Sequence, residues 1–197
     1  MACMARRNSR ISPLPSFLAG LVAFNAVPVP VVVAAQYLSL EQAQKAIFPQ
    51  ADRFAEVALA LTAEQRARVA ALAGPQPPHR SLRAWKANEG ATLLGYVFVD
   101  EVLGKEQFIT YAIGIDTTGK VSTLEVLAYR ESHGGEIRDR AWRHQFDGRR
   151  GAEQLNFRAD IKNIAGATLS CEHVTQGVRW IDALWQVALR TGIMPVA

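Results

Sequence analysis

The stretch Phe108-Ile109-Thr110-Tyr111-Ala112-Ile113-Gly114-Ile115-Asp116 decides the fold. Ile109, Tyr111, Ile113 and Ile115 alternate with Thr110, Ala112 and Gly114, so an extended chain here has one strongly apolar face and one face of small residues. That period predicts a strand. The next four residues, Thr117-Thr118-Gly119-Lys120, are turn formers, and a second β-branched run follows from Val121 to Tyr129. On the other side, Gly104-Lys105 separates Phe108 from a third run, Ala91 to Glu101. Short strands parted by such turns are the pattern of an antiparallel meander.

Beyond Tyr129 the chain turns polar and irregular, through Ser132-His133-Gly134-Gly135 to Gly148-Arg149-Arg150-Gly151. A long helix then closes the chain over about 169–191. Val174, Val178, Ile181, Leu184, Trp185 and Ala188 recur at helical spacing on its core face, with Trp180 expected off that stripe. Upstream, Ser39 with Gln42 and Thr62 with Gln65 form capping-box patterns, which predict helices over 39–48 and 62–73, with a further one at 51–59. Gly74-Pro75-Gln76-Pro77-Pro78 ends the last of these as a stiff linker. The expected class is therefore α+β: an antiparallel β-sheet packed by a long C-terminal helix and preceded by an N-terminal helical segment. The expected division is 1–35, then 36–78 with its linker, then 79–197.

The chain has 197 residues, of which 49% are hydrophobic and 20% charged, enough for one ordinary core. Its formal charge of +4 has a local source, because Arg6, Arg7 and Arg10 all precede the first acidic residue, Glu41. Removing those three of 22 basic residues leaves 19 against 18 acidic ones, a net +1. No electrostatic argument then points to nucleic acid. Basic residues up to Arg10, an apolar stretch from Ile11 to Val33 and the small-residue site Val33-Ala34-Ala35 make an export signal, with cleavage expected after Ala35. A retained membrane anchor is the alternative, although Pro13, Pro15, Pro28 and Pro30 interrupt it. Either way the remainder of the chain is expected in the periplasm. Cys3 leaves with the signal, and Cys171 alone forms no internal disulfide, so burial is its expected role.

Chemistry concentrates at Ile164-Ala165-Gly166-Ala167-Thr168-Leu169-Ser170, where loop meets helix. Small residues before a helix let a backbone approach an anion, and the first free amides and the helix dipole attract it. The competing reading is a plain N-cap, with Thr168 bonded to an amide two or three residues on. Other candidates are weaker. His133 is placed either to contact a ligand or to be solvated, Cys171 and His173 with His144 are too few for a convincing metal set, and Trp142 suits packing as well as stacking. Arg138, Arg140, Arg143, Arg149 and Arg150 form either a docking patch or a solvated loop balanced by Glu131, Glu136, Asp139 and Asp147. No nucleophile, base and orienter set for hydrolysis is present.

Three parts of the chain, spanning about Gly90 to Leu189, resemble the FMN-binding domain family: Tyr111 to Asp116 with the Gly119-Lys120-Val121 turn, Glu131 to Ile137, and the Gly-Ala-Thr helix start. That family includes flavin-bearing components of the sodium-translocating NADH:quinone reductase and of the Rnf complex, together with small periplasmic FMN-binding proteins. Ala165 stands where the family has serine, and Asp160 lies eight residues before Thr168, where the family places an acid about six before. The resemblance implies FMN as cofactor, esterified through its phosphate to Thr168 by a periplasmic flavin transferase. It implies Gly166, Ala167, Leu169 and Ser170 around the phosphate, with Glu131, Ser132, His133, Gly134 and Gly135 beside the ring. It also implies an electron carrier serving a membrane or periplasmic redox partner, more than a stand-alone enzyme. A non-redox anion-binding module and a periplasmic flavin reductase are the alternatives.

Overall fold

A computed structural model describes residues 35–190; the expected export signal or anchor lies almost wholly outside them. Its centre is a fully antiparallel six-stranded sheet in the order β1-β6-β5-β4-β3-β2. The strands are β1 (Ala35–Gln36), β2 (Arg53–Val57), β3 (His79–Glu89), β4 (Thr92–Leu103), β5 (Phe108–Asp116) and β6 (Val121–Tyr129). The helices are α1 (Leu40–Ile47), α2 (Ala63–Ala73), α3 (Arg140–Arg143) and α4 (Thr168–Leu184), the last running into a π-helical turn, Trp185–Leu189. The expected α+β class holds. Among the described residues no helix is long and apolar enough to cross a membrane.

β5 lies at the heart of the molecule. Ile109, Tyr111, Ile113 and Ile115 are fully buried in the main core with Val174, Val178 and Ile181 of α4. Each such aliphatic side chain contributes roughly 1.5–3 kcal/mol by leaving water. The opposite face carries a second, smaller core in which Ala112, Val97 and Ala87 meet Ala43, Ile47 and Phe48 of α1 and its end. The small residues of the alternation make room for that helix, and a Cβ at Gly114 would overlap Ile47. Both faces of the sheet are therefore covered.

The capping boxes at Ser39 and Thr62 form as the sequence dictates: Gln42 N donates to Ser39 Oγ (3.2 Å) and Gln65 N to Thr62 Oγ1 (3.1 Å). The helix expected at 51–59 is instead the edge strand β2, paired Phe54 to Ala87 and Val57 to Ala84. Nine residues are too few to support an isolated helix, whereas the open edge of β3 offers a ladder. Arg83 donates twice to Glu56, at 2.9 and 3.1 Å, across that pair. β3 itself is a strand beyond the expected set. Its Arg, Lys, Ala and Glu content has no strand-like propensity, and pairing along nearly all of β4 overrides it. Residues 36–78 thus contribute to the same sheet and core as the rest. Trp180, expected off the core stripe of α4, is buried in the main core instead, and α2 also packs against α4.

The long polar segment after β6 is ordered by inward anchors. Ile137, Phe146, Leu155 and Ile161 are fully buried, and Trp142 is nearly so, donating Nε1–H to Lys162 O at 2.8 Å. This segment delivers the chain to the head of α4.

Candidate functional site

The head of α4 differs from the heads of α1 and α2. Its N-cap is Ala167 (φ −123°, ψ 29°), which has no side chain able to cap. Thr168 is the first helical residue, so the expectation that it caps the helix fails. From that position its hydroxyl does not reach over the amides as an N-cap side chain does, and Thr168 Oγ1 accepts instead from Asn163 Nδ2 at 3.2 Å. The first of the helical amides with a partner is Cys171 N, bonded to Ala167 O at 3.0 Å. Among the described residues, the amides of Thr168, Leu169 and Ser170 have none. Gly166 precedes them with φ +81° and open space where a Cβ would stand. Three free donors at a positive helix end, approached past a glycine, are what an anion requires.

A loop from the end of β6 forms the second wall. Tyr129 Oη donates to His133 O at 2.5 Å and lies 3.4 Å from Ser170 Oγ, tying the loop to the first turn of α4. Gly134 adopts a left-handed conformation (φ 81°, ψ 27°) and presses on the helix cap, where a Cβ would overlap Ala167 Cβ. Ser132 Oγ is 2.9 Å from His133 Nδ1. Burial pushes the Tyr129 phenol above its ordinary range, so it remains a donor.

The third wall is the turn between β4 and β5. Glu106 N and Gln107 N both donate to Glu131 Oε1, at 2.8 and 2.9 Å. Together the walls enclose a cavity of about 210 Å³, bordered by Lys105 and Glu106, by Glu131 to His133, and by Gly166 to Ser170.

Eight of the ten residues expected around the cofactor therefore border one cavity: Glu131, Ser132, His133, Gly166, Ala167, Thr168, Leu169 and Ser170. Gly134 and Gly135 do not; they face a shallower groove with Arg138 and Asp139. Their close approach is to protein, Gly134 to Ala167 and Gly135 to the Arg138 guanidinium. The Ser170 side chain is buried beside Tyr129, and Glu131 engages two backbone amides. Lys105 and Glu106 were missed, since the only signal at Gly104-Lys105 was that of a turn.

Most of the remaining candidates have other employment. Arg138 bonds to Gly135 O at 2.9 Å, and Arg143 to Leu124 O at 2.7 Å and Glu125 at 2.5 Å. Arg149 reaches Gln154 O at 2.9 Å and Asp160 O at 3.0 Å. These three arginines brace the loop. His144 pairs with Asp147 and Arg140, and His173 Nδ1 lies 2.5 Å from Leu103 O. Cys171 is fully buried beneath the first turn of α4, and desolvation pushes its thiol up to about 11. Trp142 packs edge-on against Phe146, with ring centroids 5.2 Å apart.

The donor set suits the phosphate of a flavin nucleotide: a hydroxyl, three free amides and an unobstructed glycine. A family model for the FMN-binding domain matches residues 104–181, from the turn that supplies Lys105 to the last turn of α4. No individual curated protein matches the chain significantly. All three walls of the cavity lie inside the matched span, and the chain accordingly carries a domain of the FMN-binding family, with FMN as its cofactor.

Proposed function

We propose that this protein is an electron-transfer flavoprotein of the periplasm whose FMN is joined by a phosphoester to Thr168. The observation that carries the reading is the uncapped head of α4, where the Thr168 hydroxyl stands at the cavity beside three amides without partners. Bound FMN supplies reversible electron transfer, with chemistry that belongs to the cofactor. The residues of the chain hold and orient it. Asn163 fixes the Thr168 oxygen, and the amides of Leu169 and Ser170 meet the negative charge that a phosphodiester retains. The cavity of about 210 Å³ is smaller than the roughly 300–1,000 Å³ that encloses a whole drug-sized ligand. It would hold the phosphoryl end alone, so the rest of a bound flavin would extend past the rim, where Leu169 is exposed. A flavin edge open to solvent suits exchange of electrons with a partner protein. Periplasmic placement rests on the N-terminal sequence pattern alone.

Mass spectrometry tests the attachment. Chain produced with a flavin transferase in an exporting host should be yellow, heavier by one FMN less one water, and modified on the tryptic peptide that contains Thr168. Thr168→Ala should fold and lose the adduct. Flavin that washes out in denaturant rules out the phosphoester, and a colourless protein that binds no FMN overturns the whole reading in favour of another anion.

A further inference from the structure

The turn between β4 and β5 brings the one ammonium group among the residues bordering the cavity. Lys105 is largely exposed, and its Nζ lies 3.5 Å from Glu106 Oε1. The turn that carries it is held firmly. Gly104 N donates to Gln107 O at 2.8 Å, and the amides of Glu106 and Gln107 converge on Glu131 Oε1. A Cβ at Gly104 would overlap that same carboxylate oxygen, so turn and carboxylate are fitted to each other. Glu131 therefore has its charge directed at the backbone of the turn, 24 residues away in sequence. The cavity is small enough for a lysine on one wall to reach a group held on another.

We propose that Lys105 is the second contact for the FMN phosphate, reaching it from the turn wall, and that Glu131 is the positioning residue that keeps the turn in place. This inference rests on the reading that FMN binds with its phosphate at the head of α4. Glu106, paired with Lys105, competes with the phosphate for the same ammonium.

Flavin fluorescence titrations of the purified, flavin-free full chain with FMN and with riboflavin separate phosphate contacts from ring contacts. Wild type should prefer FMN. Lys105→Gln, at an exposed position that leaves folding intact, should weaken FMN about tenfold, flatten its salt dependence and leave riboflavin unchanged. Glu106→Gln should tighten FMN. Glu131→Ala should reproduce the Lys105→Gln loss without adding to it in the double variant, and Glu131→Gln, which keeps an acceptor oxygen, should restore binding. Equal losses for FMN and riboflavin in Lys105→Gln, or no loss, overturn the proposal, as does a wild type that binds both flavins alike. A wild type that binds neither overturns the proposal for Lys105, and one that also stays colourless when produced with a flavin transferase overturns the FMN reading itself.

Discussion

Thr168 illustrates how much one position along a helix matters. As an N-cap it would contribute about 1 kcal/mol to stability; as the first helical residue, with only the 3.2 Å contact from Asn163, it contributes little. Thr168→Ala should accordingly shift the melting temperature of the flavin-free protein by no more than an ordinary surface change, about 0.5 kcal/mol, while abolishing the adduct. Farther along the same turn, Cys171 sits in the core with its thiol raised to about 11. A thiol whose folded value exceeds its unfolded value favours the folded state below the unfolded value of about 8.5, and that contribution fades as pH rises toward 11. Between pH values of about 8.5 and 11 the wild type should lose on the order of 2 kcal/mol more stability than Cys171→Ala, measured by urea denaturation, and its thiol should resist alkylation until the chain unfolds. At this scale the sequence spoke clearly about Thr168, where small residues precede a helical pattern, and about burial of Cys171. It was silent on the partners of Glu131 and Gly134, which lie in other segments: a glycine that suits close approach to a ligand suits close approach to Ala167 equally well.

Among the elements, α4 and the sheet are in close contact at Gly177. A Cβ there would overlap Tyr111 Oη and lie 3.0 Å from Asp100 Oδ2, two buried groups joined by a 2.9 Å hydrogen bond. Gly177→Ala gains helix propensity of up to about 1 kcal/mol. Pushing α4 off that pair costs about 1–3 kcal/mol, so the net change should be destabilising and visible in thermal unfolding. Across the neighbouring strands, Glu101 gathers Arg80 (2.8 Å, twice), Ser81 (3.0 Å) and Thr110 (3.1 Å). The Arg80 hydrogen bonds lead in holding its carboxyl at about 2. A carboxyl lowered in the fold stabilises above its unfolded value of about 4.3, and the gain disappears as pH falls toward 2. With Arg80 exposed to screening, the amount is on the order of 1–2 kcal/mol, and Glu101→Gln should remove that part of the acid transition. The strands β5 and β6 were legible to the residue because their apolar runs are bounded by clear turn signals. β2 and β3 were not, since their alanines and charged residues carry no such signal and only a partner strand makes them extended.

For the whole molecule, the two-sided burial of the sheet means that α1, β2 and α2 are structural and not an appended arm. A chain beginning at residue 79 would expose the long edge of β3 and strip Ala43, Ile47 and Phe48 from the second core. It should be insoluble or unfold without a cooperative transition, which light scattering and circular dichroism would show; a soluble, cooperatively folding fragment would mean that the division at the Pro77-Pro78 linker is real. The cavity belongs to this scale too, because its walls come from segments around residues 105, 132 and 168 that meet only in the finished fold. From the sequence, a resemblance located two of those walls; the third could not be found, as nothing local in Gly104 to Gln107 announces a neighbour near residue 131.

The bare head of α4 has one more consequence. Helices α1 and α2 each close a capping box from their own residues, while the longest helix has no side chain over its first amides, so a ligand bound there adds to the free energy that holds the native state. A cell short of flavin would hold this chain in its least durable form, and its turnover by proteases would then follow the supply of the cofactor.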